Sequence, residues 1–153
     1  MENYLLSSKI VLLADDDKDH GQLFKQALKN VAPEKPLVIV NDGQELLKVL
    51  RYIRPGIIFL DLKMPGMDGF ECLKEIKSNE KLKNMKVVVY SNSSNMGDIQ
   101  KSYLYEADLY MVKPFASEHL YNAFHSIFSM QWDKQGKINR HYFINNKFVP
   151  FTS

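Results

Sequence analysis

Ionisable or hydroxyl side chains follow directly after four of the five short apolar runs of this chain. Asp15 and Asp16 follow the first run, Asp61 the third, Ser91 the fourth and Lys113 the fifth. Clustered carboxylates repel one another and are tolerated where a hard cation such as Mg²⁺ neutralises them. Mg²⁺, a lysine and a hydroxyl can together offset the charge of a transferring phosphoryl group, and a carboxylate among them can act as the nucleophile. If these side chains converge, they form a magnesium-dependent phosphoryl-transfer site.

Taken singly, each of these residues has an ordinary structural explanation. An aspartate pair at a strand end can cap a helix, and Asp61 can open a turn. Ser91 begins a loop, and Lys113 precedes a proline. The occurrence of all of them together favours the chemical interpretation, because the ends of four strands of one inferred sheet carry the carboxylates, the hydroxyl and the ammonium that phosphoryl transfer needs.

The apolar runs must be strands if these residues are to meet. The runs are short, rich in β-branched residues and bounded by turn formers, which is typical of strands buried on both faces. They occupy residues 10–14, 37–40, 57–60, 87–90 and 109–112. Apolar residues recur at helix spacing after each run, so the chain predicts an α/β fold with a doubly wound, five-stranded parallel sheet and helices on both faces. Ligands of such sheets bind beyond the carboxyl ends of the strands.

Several polar residues near these ends are expected to have structural roles. Asp42, Asp68 and Ser117 are predicted N-caps of helices, and Asp17 is interpreted as a helix cap or a support of the acidic pair. His20 is not obviously placed for catalysis, and we assign it no role.

Length, charge and cysteine content exclude several classes of protein. The 153 residues predict one domain, and a net charge of +2 is too balanced for a protein that mainly neutralises nucleic-acid phosphates. The single cysteine, Cys72, excludes an intramolecular disulfide and fits a reducing compartment. No apolar run approaches the roughly 18 residues that span a bilayer, and no signal peptide is evident. We therefore expect a cytoplasmic protein that binds neither membranes nor nucleic acid.

The last part of the chain differs from the rest. We predict a domain over residues 8–130 and a basic, aromatic extension over residues 131–153, which is expected to be extended or to form a hairpin around Asn145-Asn146. One interpretation packs Trp132, Tyr142, Phe143 and Phe148 on the domain's own surface. The other makes the extension a dimer contact or partner site, and we expect a monomer or a weak homodimer.

The motifs at the strand ends resemble those of the receiver domain of two-component response regulators. IVLLADDD is similar to its first strand and acidic pair, and IIFLDLKMPGMDG to its phosphoacceptor segment. VVVYSNS is similar to its hydroxyl-bearing strand and ADLYMVKPF to its lysine strand. The resemblance covers residues 8–130 and implies a flavodoxin-like strand order, 2-1-3-4-5.

The resemblance implies a role for each matching position. Asp61 would accept a phosphoryl group from the phosphohistidine of a sensor histidine kinase or a histidine phosphotransfer protein. Asp16, Asp61 and the backbone carbonyl of Lys63 would bind Mg²⁺, with Asp15 acting through water. Lys113 would pair with Asp61 and then with the phosphoryl oxygens. The protein would not be an enzyme in the usual sense, although it would promote its own phosphorylation and dephosphorylation.

A second group of positions would carry the switch. Ser91 would hydrogen-bond to the phosphoryl group and move toward it, and the rotamer of Tyr110 would follow. Lys63 and Ser93 would flank the acyl phosphate and are expected to tune its lifetime. Asn92 stands where the family usually has Ala or Gly, and its larger side chain would tune the site by crowding the movement of Ser91 or by capping the phosphoryl group. The surface of the fourth helix, fifth strand and fifth helix would then contact a downstream protein target.

The leading interpretation is a stand-alone phosphoacceptor of a phosphorelay, since 153 residues leave no room for an output domain. A haloacid-dehalogenase-like phosphohydrolase also uses an aspartate nucleophile and Mg²⁺, but it needs a second acid where this chain has Lys63. A flavodoxin-like cofactor module needs a phosphate loop where this chain has DDDKD. A phosphorylation-independent pseudo-receiver is the third alternative, and the complete set of residues argues against it. Glu106 departs from the family, which usually has glycine there.

Overall fold

A five-stranded parallel sheet lies at the centre of the computed structural model, which describes residues 8–130, 132, 143–144 and 147–152. The strands lie in the order β2-β1-β3-β4-β5, which confirms the predicted α/β class and strand order. Their bounds are β1 (Val11–Ala14), β2 (Leu37–Val40), β3 (Ile57–Leu60), β4 (Lys86–Ser91) and β5 (Leu109–Val112).

Helices cover both faces of this sheet, as predicted. They are α1 (Lys18–Val31), α2 (Gly43–Val49), α3 (Gly69–Ser78), α4 (Met96–Leu104) and α5 (Ser117–Ser129). Helices α1 and α5 pack on one face, and α2, α3 and α4 on the other. Part of the first face is aromatic: the ring of Phe24 lies 5.0 Å from that of Phe59 and 4.8 Å from that of Phe124, each edge-on. Edge-on aromatic pairs add to the stabilisation from burial alone.

Three of the four expected caps form. Asp17, Asp42 and Asp68 each accept backbone N–H bonds from the first turn of the helix that follows. The prediction that Ser117 caps α5 is wrong. The cap position is Ala116, whose extended backbone (φ −108°, ψ 138°) ends the turn after β5, so that Ser117 is already helical.

The prediction that every strand is buried on both faces is wrong for β2. This strand lies at the sheet edge, and Ile39 is 37% exposed. The other four strands have a neighbour or a covering segment along each side.

The outer edge of β5 is covered by groups from two other parts of the chain. The Tyr110 N–H donates to the Tyr103 hydroxyl at 2.9 Å, and the Phe151 N–H donates to the Tyr110 carbonyl at 2.7 Å. Phe151 is buried beside the α1/α5 face of the sheet. Covering an edge in this way removes a template for intermolecular strand pairing.

Most of the predicted 131–153 extension, including Tyr142, lies outside the described residues. Within them, β6 (Phe143–Ile144) pairs antiparallel with β7 (Lys147–Phe148), and β7 packs beside α4. The Trp132 indole N–H donates to the Ile127 carbonyl at 3.2 Å. None of the described helices is both long enough and apolar enough to cross a membrane.

Candidate functional site

The carboxyl ends of β1, β3 and β5 bring the predicted ionisable residues together. The Lys113 ammonium lies 2.6 Å from Oδ2 of Asp15 and 3.1 Å from Oδ2 of Asp61. Carboxylate oxygens of Asp15, Asp16 and Asp61 lie within 4.8 Å of one another. Residues that are 46 and 52 positions from Asp61 along the chain thus share one rim, because parallel strands end at the same edge. We call Asp15, Asp16, Asp61 and Lys113 the rim cluster.

The loop after β3 folds back so that it holds Asp61 in place. Gly69 begins α3, and its N–H donates to the Leu62 carbonyl at 2.9 Å. A side chain at Gly69 would collide with the Asp61 carbonyl, so only glycine permits this approach. Gly66 turns the loop with a positive φ of 72°. The Lys63 N–H points back at Oδ1 of Asp61 across 3.3 Å.

The two members of the acidic pair differ in their surroundings. Asp15 is buried, its Oδ1 accepts the Asp17 N–H at 2.9 Å, and its Oδ2 holds Lys113. Asp16 is exposed at the mouth of the site. This difference leaves Asp16 better placed for a ligand that enters from solvent.

The electrostatics of the rim cluster leave a surplus of negative charge. Burial raises the pKa of Asp61 above its ordinary value, the charge of Asp15 raises the same pKa further, and Lys113 opposes both effects. One ammonium cannot balance three carboxylates. The cluster therefore fits a divalent cation, whose preferred ligands are carboxylate oxygens. A cavity of about 270 Å³ opens from it to solvent.

A hydrogen-bonded path leads from the site to Tyr110. The Ser93 N–H donates to Ser91 Oγ at 3.1 Å, and the Ser93 carbonyl accepts from the Tyr110 hydroxyl at 2.7 Å. The Ser93 hydroxyl donates to Asp98 Oδ2 at 2.6 Å, which fastens the loop to the first turn of α4. Tyr110 itself is fully buried.

The three predicted tuning residues all line the same cavity. Lys63 and Asn92 are exposed there, and Ser93 is half-buried. The structure therefore places the tuning residues and Ser91 beside the rim cluster, while Tyr110 lies in β5 and is bonded to the loop after β4.

Sequence reasoning missed one member of the site, His20. Its Nδ1 lies 2.8 Å from the Lys113 ammonium and 3.6 Å from Oδ2 of Asp15. The sequence indicates no obvious place for His20 in the site, whereas the structure places it in the lining of the cavity. The available signal was its spacing from Asp17: the third residue after an N-cap lies on the first helical turn, directly above the strand end.

Comparisons with known proteins agree with this geometry. A family model described as the response regulator receiver domain matches residues 11–125. The response regulator Rcp1 of Synechocystis sp. is 36% identical over an alignment of 112 residues, and the match covers 69% of this chain and 76% of Rcp1.

Two solved structures match most of the chain. The phosphorylated cyanobacterial phytochrome response regulator RcpA superposes with a TM-score of 0.74 at 34% identity and covers 83% of this chain and 96% of RcpA. The Mn(2+)-bound form of response regulator Rcp1 superposes with a TM-score of 0.71 at 31% identity and covers 84% of this chain and 97% of Rcp1.

Proposed function

The chain belongs to the response regulator receiver domain family, and on that premise we propose that Asp61 accepts a phosphoryl group from a phosphohistidine. The match to this family confirms the resemblance that the motifs indicated. Members of the family are phosphoacceptor modules of two-component signalling rather than classical enzymes. The observation that carries the assignment to Asp61 is its position: a buried carboxylate at the floor of the cavity, in contact with the Lys113 ammonium.

The proposed reaction is a transfer between two side chains. The P–N bond of the phosphohistidine breaks, a P–O bond to a carboxylate oxygen of Asp61 forms, and the released imidazole takes its proton from solvent. Lys113 is close enough to move one N–H from Asp61 to a phosphoryl oxygen, and the Ser91 hydroxyl supplies another donor. Lys113 is held in place before the reaction by Asp15 and Asp61, which reduces the reorganisation that the transition state requires.

The donor set supports Mg²⁺ as the metal. Asp16 and Asp61 would bind it directly with the Lys63 carbonyl, and Asp15 would act through water. When bound, the ion offsets the charge of the carboxylates and of the phosphoryl oxygens. Mg²⁺ keeps several waters and needs only one or two carboxylates, which suits a site whose deepest carboxylate, Asp15, is already engaged by Lys113.

Ser91 and Tyr110 would report the phosphorylation state to the surface. When Ser91 Oγ turns to a phosphoryl oxygen, the Ser93 N–H loses its acceptor and the loop before α4 must shift. The Tyr110 hydroxyl is bonded to the same residue, so its position follows the loop. The surface of α4, β5 and α5 would then bind a downstream protein.

The partners implied are a sensor histidine kinase or phosphotransfer protein, and one downstream target. We place this exchange in the cytoplasm, in keeping with a sequence that has a single cysteine and so no intramolecular disulfide. The domain would also catalyse loss of its own phosphoryl group by hydrolysis of the acyl phosphate.

The assignment is tested by incubating the protein with phosphoramidate and Mg²⁺ and measuring its intact mass. We expect one phosphoryl adduct on the wild type and none on Asp61→Asn or after chelation of the metal. The matched control is Asp68→Asn, a helix cap that should retain the adduct. An adduct on Asp61→Asn would refute the assignment, and rapid release of phosphate from small phosphate esters would favour a phosphohydrolase instead.

Lys63 is proposed to alter the lifetime of the acyl phosphate through its charge. It is exposed beside Asp61 at the mouth of the cavity, where it can attract or exclude the attacking water. We expect Lys63→Ala to change the rate of dephosphorylation, measured by the decay of the mass adduct. An unchanged rate would remove this role.

A further inference from the structure

His20 occupies a position that no other part of the mechanism uses. Its backbone N–H bonds to Asp17, which caps α1, and its ring reaches down to the buried Lys113 ammonium. The ring is 31% exposed, and the Lys113 side chain is 4% exposed. His20 thus lies between solvent and the charge pair of Lys113 and Asp61.

The Lys113 ammonium has three N–H bonds, and each has an acceptor in the structure. These acceptors are Asp15 Oδ2 at 2.6 Å, His20 Nδ1 at 2.8 Å and Asp61 Oδ2 at 3.1 Å. An ammonium has no lone pair, so the ring atom that faces it must accept. This requires the neutral ring with its proton on Nε2.

The three acceptors differ in what they do to the site. Asp15 and Asp61 carry negative charge, and Asp61 gives up its bond to Lys113 when it is esterified. His20 is the uncharged acceptor, so it orients the ammonium without adding a further carboxylate to a cluster that already has a surplus. With two N–H bonds fixed on Asp15 and His20, the third is aimed at Asp61.

We propose that His20 is a positioning residue for Lys113, acting through Nδ1 to hold one N–H of the ammonium so that another points at the phosphoryl acceptor. This inference rests on the proposed function of Asp61. It assigns His20 no contact with the phosphoryl donor and no role as a metal ligand.

Three substitutions distinguish the role of Nδ1 as a hydrogen-bond acceptor from the effects of the size and the polarity of the His20 side chain. In His20→Asn the amide oxygen is the same number of bonds from Cα as Nδ1 is in histidine, and in His20→Gln it is one bond further away. His20→Leu removes the acceptor but keeps an apolar side chain at the position. We expect His20→Leu and His20→Gln to slow phosphorylation by phosphoramidate about tenfold, and His20→Asn to restore most of the rate, because a hydrogen bond to a charged group is worth about this factor.

A second measurement reports on the hydrogen bond itself. Long-range ¹H–¹⁵N correlation spectra of the wild type, recorded above the ordinary pKa of histidine, should show His20 with its proton on Nε2. Affinity for Mg²⁺, measured by calorimetry, should change by less than about twofold in all three variants, whereas general loosening of the site would weaken it.

Three results would contradict the role of His20. A proton on Nδ1, or a His20→Leu rate equal to that of the wild type, or no rescue by His20→Asn, would each overturn the proposal. If the wild type itself takes up no phosphoryl group, the proposed function fails, while the tautomer still tests the contact with Lys113. If His20→Leu does not fold, His20→Gln and the spectra of the wild type decide.

Discussion

At the amino ends of the strands, one buried lysine meets one carboxylate, whereas at the carboxyl ends one buried lysine meets several. The Lys77 ammonium lies 3.0 Å from Asp108 Oδ2 and also donates to the Met85 carbonyl at 2.8 Å. The same Asp108 oxygen accepts the Val87 N–H at 2.8 Å, which ties the start of β5 to β4. We call Lys77 and Asp108 the amino-end clamp. Its charges balance, and those of the rim cluster do not.

This difference shows how one fold separates stability from function. A buried charge is tolerated when its partner and its hydrogen bonds are complete, which the clamp achieves within the protein. On the proposed function, the rim cluster would be completed only from outside, first by a cation and then by a phosphoryl group. We expect its surplus charge to lower the stability of the free domain and to attract the ligand.

The largest effect is expected when the rim cluster loses its only ammonium. Lys113→Met leaves the buried carboxylates of Asp15 and Asp61 without their ammonium partner, and the free energy of unfolding should fall by about 4 kcal/mol in the absence of divalent cations. Excess Mg²⁺ should restore part of this loss, because a cation can take the place of the ammonium charge. Urea unfolding with and without Mg²⁺ measures both effects. A loss that Mg²⁺ leaves untouched would contradict the idea that the rim is completed from outside.

A smaller loss is expected when the amino-end clamp is broken. Lys77→Met keeps the aliphatic stem but leaves Asp108 without its cation, and we expect the free energy of unfolding to fall by about 2 kcal/mol, since Asp108 is partly exposed. Mg²⁺ should not restore it. Lys83→Met is the matched control, because its exposed pair with Glu80 should contribute less than about 1 kcal/mol. If Mg²⁺ restored the free energy of unfolding equally in Lys77→Met and Lys113→Met, the proposed difference between the amino-end clamp and the rim cluster would be wrong.

The cost of the surplus charge should be visible as a pH dependence. The pKa of Asp61 is raised in the folded state above its ordinary value of 3.8, so the folded protein binds that proton more tightly than the unfolded chain. The contribution of Asp61 to stability is therefore greatest below pH 3.8, falls as the pH rises toward the folded pKa, and stays constant above it. Without metal, Asp61→Asn should be more stable than the wild type at neutral pH, because the amide carries no charge that must be buried.

The control for this effect is Asp19→Asn, which removes an acidic residue from the exposed first turn of α1. The difference in unfolding free energy between Asp61→Asn and the wild type should shrink as the pH is lowered, and it should shrink at neutral pH when Mg²⁺ is added. A difference that does not depend on pH would mean that the effect comes from packing rather than from charge.

The sequence was sufficient to predict the rim cluster but not the clamp or the place of His20. Short β-branched runs with acidic or basic ends locate the strand ends, and strand ends of a parallel sheet meet by topology. The convergence of Asp61 and Lys113 at one end of the sheet therefore follows from the pattern of residues, whereas their direct pairing was implied only by the family resemblance. The contact between Lys77 and Asp108 joins the end of a helix to the start of a strand, and neither residue stands in a motif.

The details that the sequence mispredicts have local causes. Whether Ser117 or Ala116 caps α5 depends on a single residue's backbone angles, which a sequence pattern does not specify. The strand-end pattern does not reveal His20, because its ring reaches the site across a helical turn rather than from a strand end. The exposure of Ile39 follows from β2 being an edge strand, which the apolar pattern of that strand alone does not indicate.

The smallest expected effect concerns the turn that leads into the clamp. Glu106 has a φ of 71°, the only positive φ among the described residues other than glycine, and it lies two residues before Asp108. A side chain in this left-handed region costs about 1–2 kcal/mol, and glycine avoids most of that cost but loses more chain entropy on folding. Glu106→Gly should therefore raise the free energy of unfolding by about 0.5 kcal/mol, while Glu106→Ala should not raise it, because alanine keeps the same backbone strain.

Urea unfolding of both variants measures the difference in the free energy of unfolding. The gain in Glu106→Gly should be the same with and without Mg²⁺, since this turn belongs to the end of the sheet whose charges are already balanced. A gain in the free energy of unfolding that grows when Mg²⁺ is added would show that backbone strain at the amino ends affects the rim cluster. The two ends of the sheet would then be energetically coupled.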